Sequence, residues 1–124
     1  TRAGVDPVEM MERLGSRCTM LHQKDLSKDA KIVNIYDAVE GECTEENVMG
    51  TMFKAAAPND IVPVGTGCLD VPKFCQVGDE LGYATHILVE LDSVSTMTEE
   101  NYTTELSPLQ SVELSLHNLK KAIG

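Results

Sequence analysis

Two side chains that can bind divalent metal ions stand at the ends of short apolar stretches of this chain. His22 closes the stretch at 17–22, and Glu90 lies near the end of the stretch at 85–91. Short, nearly continuous apolar runs are typical of strands buried on both faces, as in parallel sheets. An imidazole nitrogen and a carboxylate oxygen form a mixed ligand set that suits Mn²⁺, Mg²⁺, Co²⁺ or Zn²⁺.

Strand alternation supports a common location for these two residues. Alternate residues of a strand share a face, which groups Cys18 and Met20 with His22, and His86 and Leu88 with Glu90. In α/β barrels the carboxyl ends of the strands carry the active site, so both side chains are expected at one mouth. On general grounds, a histidine there is more often a hydrogen-bonded structural residue and a glutamate more often solvated. The residues alone therefore leave metal binding open.

Lys24 and Asp25 follow the candidate histidine directly. Lys24 could contact a hydroxyl, carbonyl oxygen or phosphate of a substrate, or could form a surface ion pair with Asp25. Asp25 could instead orient the imidazole of His22 by a hydrogen bond without binding the metal itself. Of the other histidines, His86 is predicted to be a packed structural residue and His117 to be exposed.

Three helices are predicted from their end signals. The first begins at Asp6, with proline next and an acidic residue in the first turn, and ends at Gly15. The second runs from Asp70 to Gly82, and a capping-box pattern at 107–110 opens the third. The apolar stripe predicted for the third helix consists of Leu109, Val112, Leu116, Leu119 and Ile123.

The order of elements is helix, strand, long link, helix, strand and helix. Alternating strands and helices predict an α/β fold with parallel pairing. The link at 23–69 is far longer than usual loops and is expected to be an excursion that covers another part of the molecule. It contains an apolar patch at 32–39 and a possible short helix at 48–57, and it closes with a G-x-G turn at Gly65 and Gly67, which is more simply a turn than a phosphate cradle.

Four segments resemble motifs of the xylose-isomerase-like family of sugar isomerases and epimerases. Residues 21–25 (LHQKD) resemble its H-x-K-D element on the seventh strand, and 64–70 (VGTGCLD) resemble its G-x-G-x-x-D entry to the next helix. Residues 88–90 (LVE) resemble the eighth-strand segment that ends in a metal-binding glutamate, and 3–7 (AGVDP) resemble the stretch after the sixth-strand ligand. The resemblance implies that residues 1–124 form the C-terminal part of a (β/α)₈ barrel, about strands 7 and 8 with flanking helices.

The same resemblance implies a function for these positions. His22 and Glu90 would be metal ligands of an isomerase or epimerase acting on a sugar or sugar phosphate. Glu90 would also transfer a proton next to the carbonyl, through an enediolate, while Lys24 and Asp25 are weaker candidates for substrate contact. The family's other ligands, on its fourth and sixth strands, and its second proton-transfer carboxylate have no counterparts here. Since such a barrel needs about 250 residues, the chain is expected to be a fragment, inactive alone.

Charge and cysteine content argue against several other functions. The net charge is −10, which disfavours nucleic acid and anionic membrane surfaces as partners. No apolar run of about 20 residues could span a bilayer, and the N-terminus lacks the apolar core of a signal peptide. The four cysteines form no C-x-x-C pair, so reduced thiols in a cytoplasmic protein are expected.

Several alternatives remain at the level of sequence. A lyase or dehydratase of the inositol-metabolism type could use the same barrel. An endonuclease of the abasic-site type is disfavoured, because residues 23–69 contain no histidine for its extra metal ligands. The chain could also be a non-catalytic interaction module, or could associate with copies of itself as a homo-oligomer through an exposed apolar face.

Overall fold

The computed structural model describes residues 4–55, 60–82, 84–91 and 106–124, with side chains omitted at 52–55. The described residues form five helices: α1 (Pro7–Leu14), α2 (Ile35–Ala38), α3 (Glu45–Ala55), α4 (Val71–Leu81) and α5 (Pro108–Ile123). They also form four short strands: β1 (Met20–Gln23), β2 (Asp25–Leu26), β3 (Ile61–Val62) and β4 (His86–Val89). The protein is thus a small mixed α/β structure. No helix in these ranges is long and apolar enough to cross a bilayer.

β1 and β4 pair in parallel, as the alternation of strands and helices predicts. His22 lies opposite Leu88 in the register. The ladder continues at both ends through backbone hydrogen bonds from Thr85 to Thr19 and from Glu90 to Gln23, each with an N···O distance of 3.1 Å. Within the described ranges this sheet has two strands, so the fold contains a parallel pair without showing closure of a barrel.

The first strand begins later than its apolar run predicts. A 3-10 turn at Gly15–Arg17 follows α1, and the strand starts only at Met20. The Arg17 guanidinium donates to the carbonyls of Arg13 and Leu14, at 3.5 and 3.4 Å. Arg17 therefore serves the end of the preceding helix, where exposed carbonyls need donors, and is not available to the sheet.

The long link at 23–69 has more structure than its composition predicts. β2 and β3 pair antiparallel near its two ends, with Asp25 opposite Val62, and therefore draw the ends of the excursion together. Helix α3 lies close to the short helix predicted at 48–57, but it begins at Glu45. The last two residues of that prediction fall outside the described residues.

The helix ends predicted from the sequence are confirmed. The Asp6 carboxylate accepts hydrogen bonds from the backbone of Val8 and Glu9, and the Asp70 carboxylate accepts one from Lys73. The capping box at the start of α5 has both of its hydrogen bonds. Gly15 and Gly82 end α1 and α4 with positive φ angles of 50° and 69°, a region that glycine enters without steric penalty.

The core lies on one side of the parallel pair, where α4 packs against both α1 and α5. One cluster of buried side chains comprises Met11, Leu21, Phe74 and Val77, and a second comprises Val64, Val71, Cys75 and Leu119. On the other side of the sheet, Met20 and Leu88 are about half exposed. The prediction that the strands are buried on both faces is therefore wrong for the described structure, because no layer covers that second face.

Helix α5 does not bury the apolar stripe predicted for it. Of the five residues of that stripe only Leu119 is buried, and α5 instead buries Ser111 and Ser115. The Ser115 hydroxyl donates to the Ser111 carbonyl at 2.7 Å and accepts from the backbone N–H of Val64 at 3.0 Å. Small side chains with satisfied hydrogen bonds thus allow α5 to approach the loop before α4 closely, and this contact determines how the helix is rotated.

Candidate metal site at the ends of the parallel strands

The carboxyl ends of β1 and β4 bring His22 and Glu90 together. His22 is the third residue of β1, and Glu90 directly follows β4. Because the Glu90 N–H donates to the Gln23 carbonyl, both chain segments stay in register to the end of the ladder. The His22 Nε2 and the Glu90 Oε2 are in contact. The two side chains therefore lie on the same face of the sheet, as strand alternation predicts.

Lys24 joins the same cluster. Its Nζ lies 2.9 Å from the Glu90 Oε1, so the carboxylate has an imidazole at one oxygen and an ammonium at the other. The three side chains are between 33% and 45% exposed, and solvent or a small molecule can reach them. Lys24 thus forms an ion pair with Glu90, whereas the surface pair considered from the sequence was with Asp25.

The donor set fits part of a divalent metal site. Imidazole nitrogen and carboxylate oxygen are common ligands of Zn²⁺, Mn²⁺ and Co²⁺. Within the described ranges no group of three His, Cys, Asp or Glu side chains could hold a metal ion together. A divalent ion at this place would therefore take two ligands from the described chain, and the Lys24 ammonium would oppose its charge.

Asp25 is buried, at 1% exposure, and its carboxylate is turned to the loop before α4. Oδ1 accepts hydrogen bonds from the backbone N–H groups of Leu26 and Leu69, at 2.8 and 3.1 Å. Oδ2 accepts from those of Gly65 and Gly67, both at 2.9 Å. Since both oxygens have backbone partners, the arrangement favours a structural role for Asp25 over the substrate contact or the orientation of His22 considered above.

The G-x-G turn therefore encloses a carboxylate of the chain itself. A Cβ atom added at Gly67 would lie 2.2 Å from the Leu26 carbonyl oxygen and 2.3 Å from the Asp25 Oδ1. Glycine is thus required here, because any side chain would occupy the space of the hydrogen-bonded carboxylate. The backbone amides of Gly65 and Gly67 are already used in this way, and the turn offers them to Asp25 instead of to a phosphate.

The other histidines lie apart from this cluster. His86 is exposed, and its Nδ1 lies 2.8 Å from the Thr85 hydroxyl, so the prediction of a packed structural histidine is wrong. The reason is the uncovered sheet face, to which alternation turns this residue. His117 is exposed on α5, as predicted.

A cavity of about 380 Å³ adjoins the cluster and was not evident from the sequence. His22 and Lys24 contribute to its lining, and much of the remaining wall is apolar, including Met11, Leu21 and Phe74. These wall residues come from α1, β1 and α4. Residues of β2 and β3 also line the cavity, so the space forms only when elements separated in the chain pack together, and no local pattern indicates it.

Compared with protein-family models, with curated proteins and with solved structures, the chain has no significant match in any of the three. The resemblance to xylose-isomerase-like barrels thus depends on the four motifs themselves.

Proposed function

We propose that this chain supplies two ligands, His22 and Glu90, to a divalent metal site of a sugar or sugar phosphate isomerase or epimerase. The proposal includes the finer fold assignment, in which β1 and β4 correspond to the seventh and eighth strands of a xylose-isomerase-like barrel. The observation that supports it most is the contact between the imidazole and the carboxylate at the carboxyl ends of parallel strands. In barrels of this kind, catalytic groups lie at that end.

The proposed chemistry assigns a separate task to each side chain of the cluster. A bound divalent ion would supply positive charge that stabilises the oxygens of a substrate enediolate. Glu90 holds or moves a proton at the carbon next to the carbonyl, and it needs access to solvent or substrate, which its partial exposure allows. His22 would be the nitrogen ligand of that ion, and its contact with Glu90 keeps the two ligands side by side. Lys24, at the other carboxylate oxygen, can reach a substrate hydroxyl, carbonyl oxygen or phosphate.

Turnover is expected to need groups beyond this cluster. Two protein ligands leave most positions of an ion to water or to other donors, and such sites bind weakly in comparison with sites of three or four protein ligands. A second carboxylate for proton transfer is also part of the proposed mechanism. We therefore expect the 124-residue chain to bind divalent ions weakly and to isomerise no sugar by itself.

Metal titration of three variants tests the assignment. The dissociation constant for Mn²⁺, Co²⁺ or Zn²⁺ would be measured by calorimetry for the unsubstituted chain, His22→Ala and Glu90→Gln. We expect each substitution to weaken binding about tenfold or more, since loss of a group that only orients a metal ligand already costs about 10–100-fold in affinity. His117→Ala is the matched control, because His117 is an exposed histidine on α5. Equal affinities for His22→Ala and the control would contradict the proposal.

Lys24→Met is expected to change metal affinity in the opposite direction from the two ligand substitutions. Removing the ammonium removes its repulsion of a divalent ion on the adjacent carboxylate. For charges about 5 Å apart in a solvated site, this repulsion amounts to about 1 kcal/mol after screening, or about fivefold in affinity. We expect Lys24→Met to bind metal more tightly. A weaker affinity would contradict the placement of the ion at the carboxylate beside the Lys24 ammonium.

A further inference from the structure

Helix α5 carries an apolar stripe that the rest of the described structure leaves uncovered. We define the α5 stripe as Leu109, Val112, Leu116 and Ile123, whose exposed fractions range from 37% to 69%. The adjoining side of the helix, centred about 110° from the middle of the stripe, buries Ser111 and Ser115. A helix normally buries its apolar side and exposes its polar side, but α5 leaves these four large apolar side chains exposed beside the two buried serines.

The spacing of the stripe is that of a helix–helix contact. At about 100° per residue, its four members fall within an arc of about 60° around the helix. Together with Leu119, they repeat at intervals of three and four residues, the pattern of the a and d positions in coiled coils. A narrow seam of this kind suits a second helix lying nearly along α5.

Charges along one side of the stripe indicate which helix fits. Glu113 and Lys120 lie about 40° and 20° beyond Leu109 on the same flank and are both exposed. Seven residues separate them, or about 10.5 Å along the axis, so they are too far apart to pair within one helix. A partner helix that carries a basic and an acidic residue in the reverse order along this flank would form two ion pairs with Glu113 and Lys120.

A second copy of α5, running antiparallel, has that order. A two-fold axis perpendicular to the helix, near Leu116, places Glu113 of each copy beside Lys120 of the other. The same axis places Leu109 beside Ile123, because both pairs of positions have their midpoint at 116–117. Such self-complementary contacts are the rule in two-fold dimers. A parallel arrangement would bring this flank against the opposite side of the stripe, where Ser115 and Leu119 are buried.

We propose that two copies of this chain associate through antiparallel pairing of their α5 stripes about a two-fold axis near Leu116. The contact is small, since it involves one helix of each copy, and stable interfaces usually bury about 1,600 Å² in total. The dissociation constant is therefore expected to be on the order of micromolar. The association is independent of the metal-site proposal, because it is argued from residues of α5 alone.

Charge reversal combined with sedimentation equilibrium tests the pairing. Up to about 100 µM protein, well above a micromolar dissociation constant, the unsubstituted chain should reach twice its mass of 13.5 kDa. E113K and K120E should each weaken association about tenfold or more, because each sets like charges together twice across the axis. The double variant E113K/K120E should restore association to within about threefold. K121E is the matched control, since Lys121 points about 100° away from Lys120, and its association should be unchanged.

Leu116→Glu and Leu109→Glu provide a second test that does not depend on the ion pairs. Leu116→Glu sets two carboxylates near the axis, and either substitution should leave a monomer. Both leucines are exposed, so helical circular dichroism is expected to stay the same. A monomer at every concentration would overturn the proposal and assign the stripe to a different partner. So would a dimer that tolerates both leucine substitutions, or single reversals that weaken association without rescue by the double variant.

Discussion

Replacing Asp25 by alanine should destabilise the protein more than any substitution in the candidate metal site. The carboxylate is 1% exposed and accepts four backbone hydrogen bonds. Three of these come from the loop at 65–69, which is 40 or more residues away in the sequence. The substitution therefore removes the group that attaches the loop before α4 to β2.

The expected cost follows from the four donors. A hydrogen bond to a charged group contributes about 1.5–3 kcal/mol net, and a buried donor left without an acceptor costs about 1–3 kcal/mol. The three donors of the loop are only partly buried, so water can partly replace the carboxylate and the lower values apply. We expect Asp25→Ala to lower the free energy of unfolding by about 3–5 kcal/mol. Domains of this size have about 5–15 kcal/mol in all.

Urea denaturation followed by circular dichroism measures this difference. Asp29→Ala is the matched control, because Asp29 is exposed and such surface substitutions usually stay within about 0.5 kcal/mol. Asp25→Asn keeps the shape but turns an amide group towards backbone donors, so it should also cost about 2 kcal/mol or more. If Asp25→Ala were as stable as the Asp29→Ala control, the carboxylate would not hold the loop and the structural role argued for Asp25 would be refuted.

Three further predictions concern other parts of the packing. Gly67→Ala should lower the free energy of unfolding by about 2 kcal/mol or more, because its Cβ would overlap the Asp25 carboxylate. Gly50→Ala is the control: its Cβ would point into open space in α3, so it should raise the free energy of unfolding by about 0.5–1 kcal/mol. Ser115→Ala should cost about 1–2 kcal/mol by urea denaturation, since it leaves a buried backbone N–H without its acceptor; no loss would contradict the serine-mediated packing of α5. Burial raises the pKa of the Cys75 thiol, so Cys75 should be alkylated more slowly at pH 8 than the exposed Cys43. Mass spectrometry measures both rates, and equal rates would contradict the burial of Cys75.

The candidate site was partly predictable because parallel strands bring their ends to one edge. Alternation along two apolar runs places His22 and Glu90 on one face, and the register bears this out. The ion pair between Lys24 and Glu90 was not predicted, since the nearest acid in the sequence is Asp25. In the structure, β2 turns the Asp25 side chain inward. The Lys24 side chain stays at the surface, where it reaches Glu90.

The sequence by itself determined the features that depend on neighbours a few residues apart. Helix α1 begins where Asp6 can accept from N–H groups two and three residues ahead, and α5 begins where a capping box can form. Hydrogen bonds of this kind close within one turn, so the residue types and their order are sufficient to place them.

Only the tertiary structure decided the features that join distant segments. The Asp25 carboxylate meets donors 40–44 residues away, and Ser115 meets Val64 across 51 residues. A helical pattern indicates that Leu116 and Leu119 lie on similar sides of α5, but not which side faces the core. The hydrogen bonds of Ser115 determine the rotation of α5 about its axis. A buried hydroxyl must keep its hydrogen-bond partners, whereas an apolar side chain can be buried against any apolar surface. Leu119 is therefore buried in the core, and the α5 stripe remains exposed and can contact another molecule.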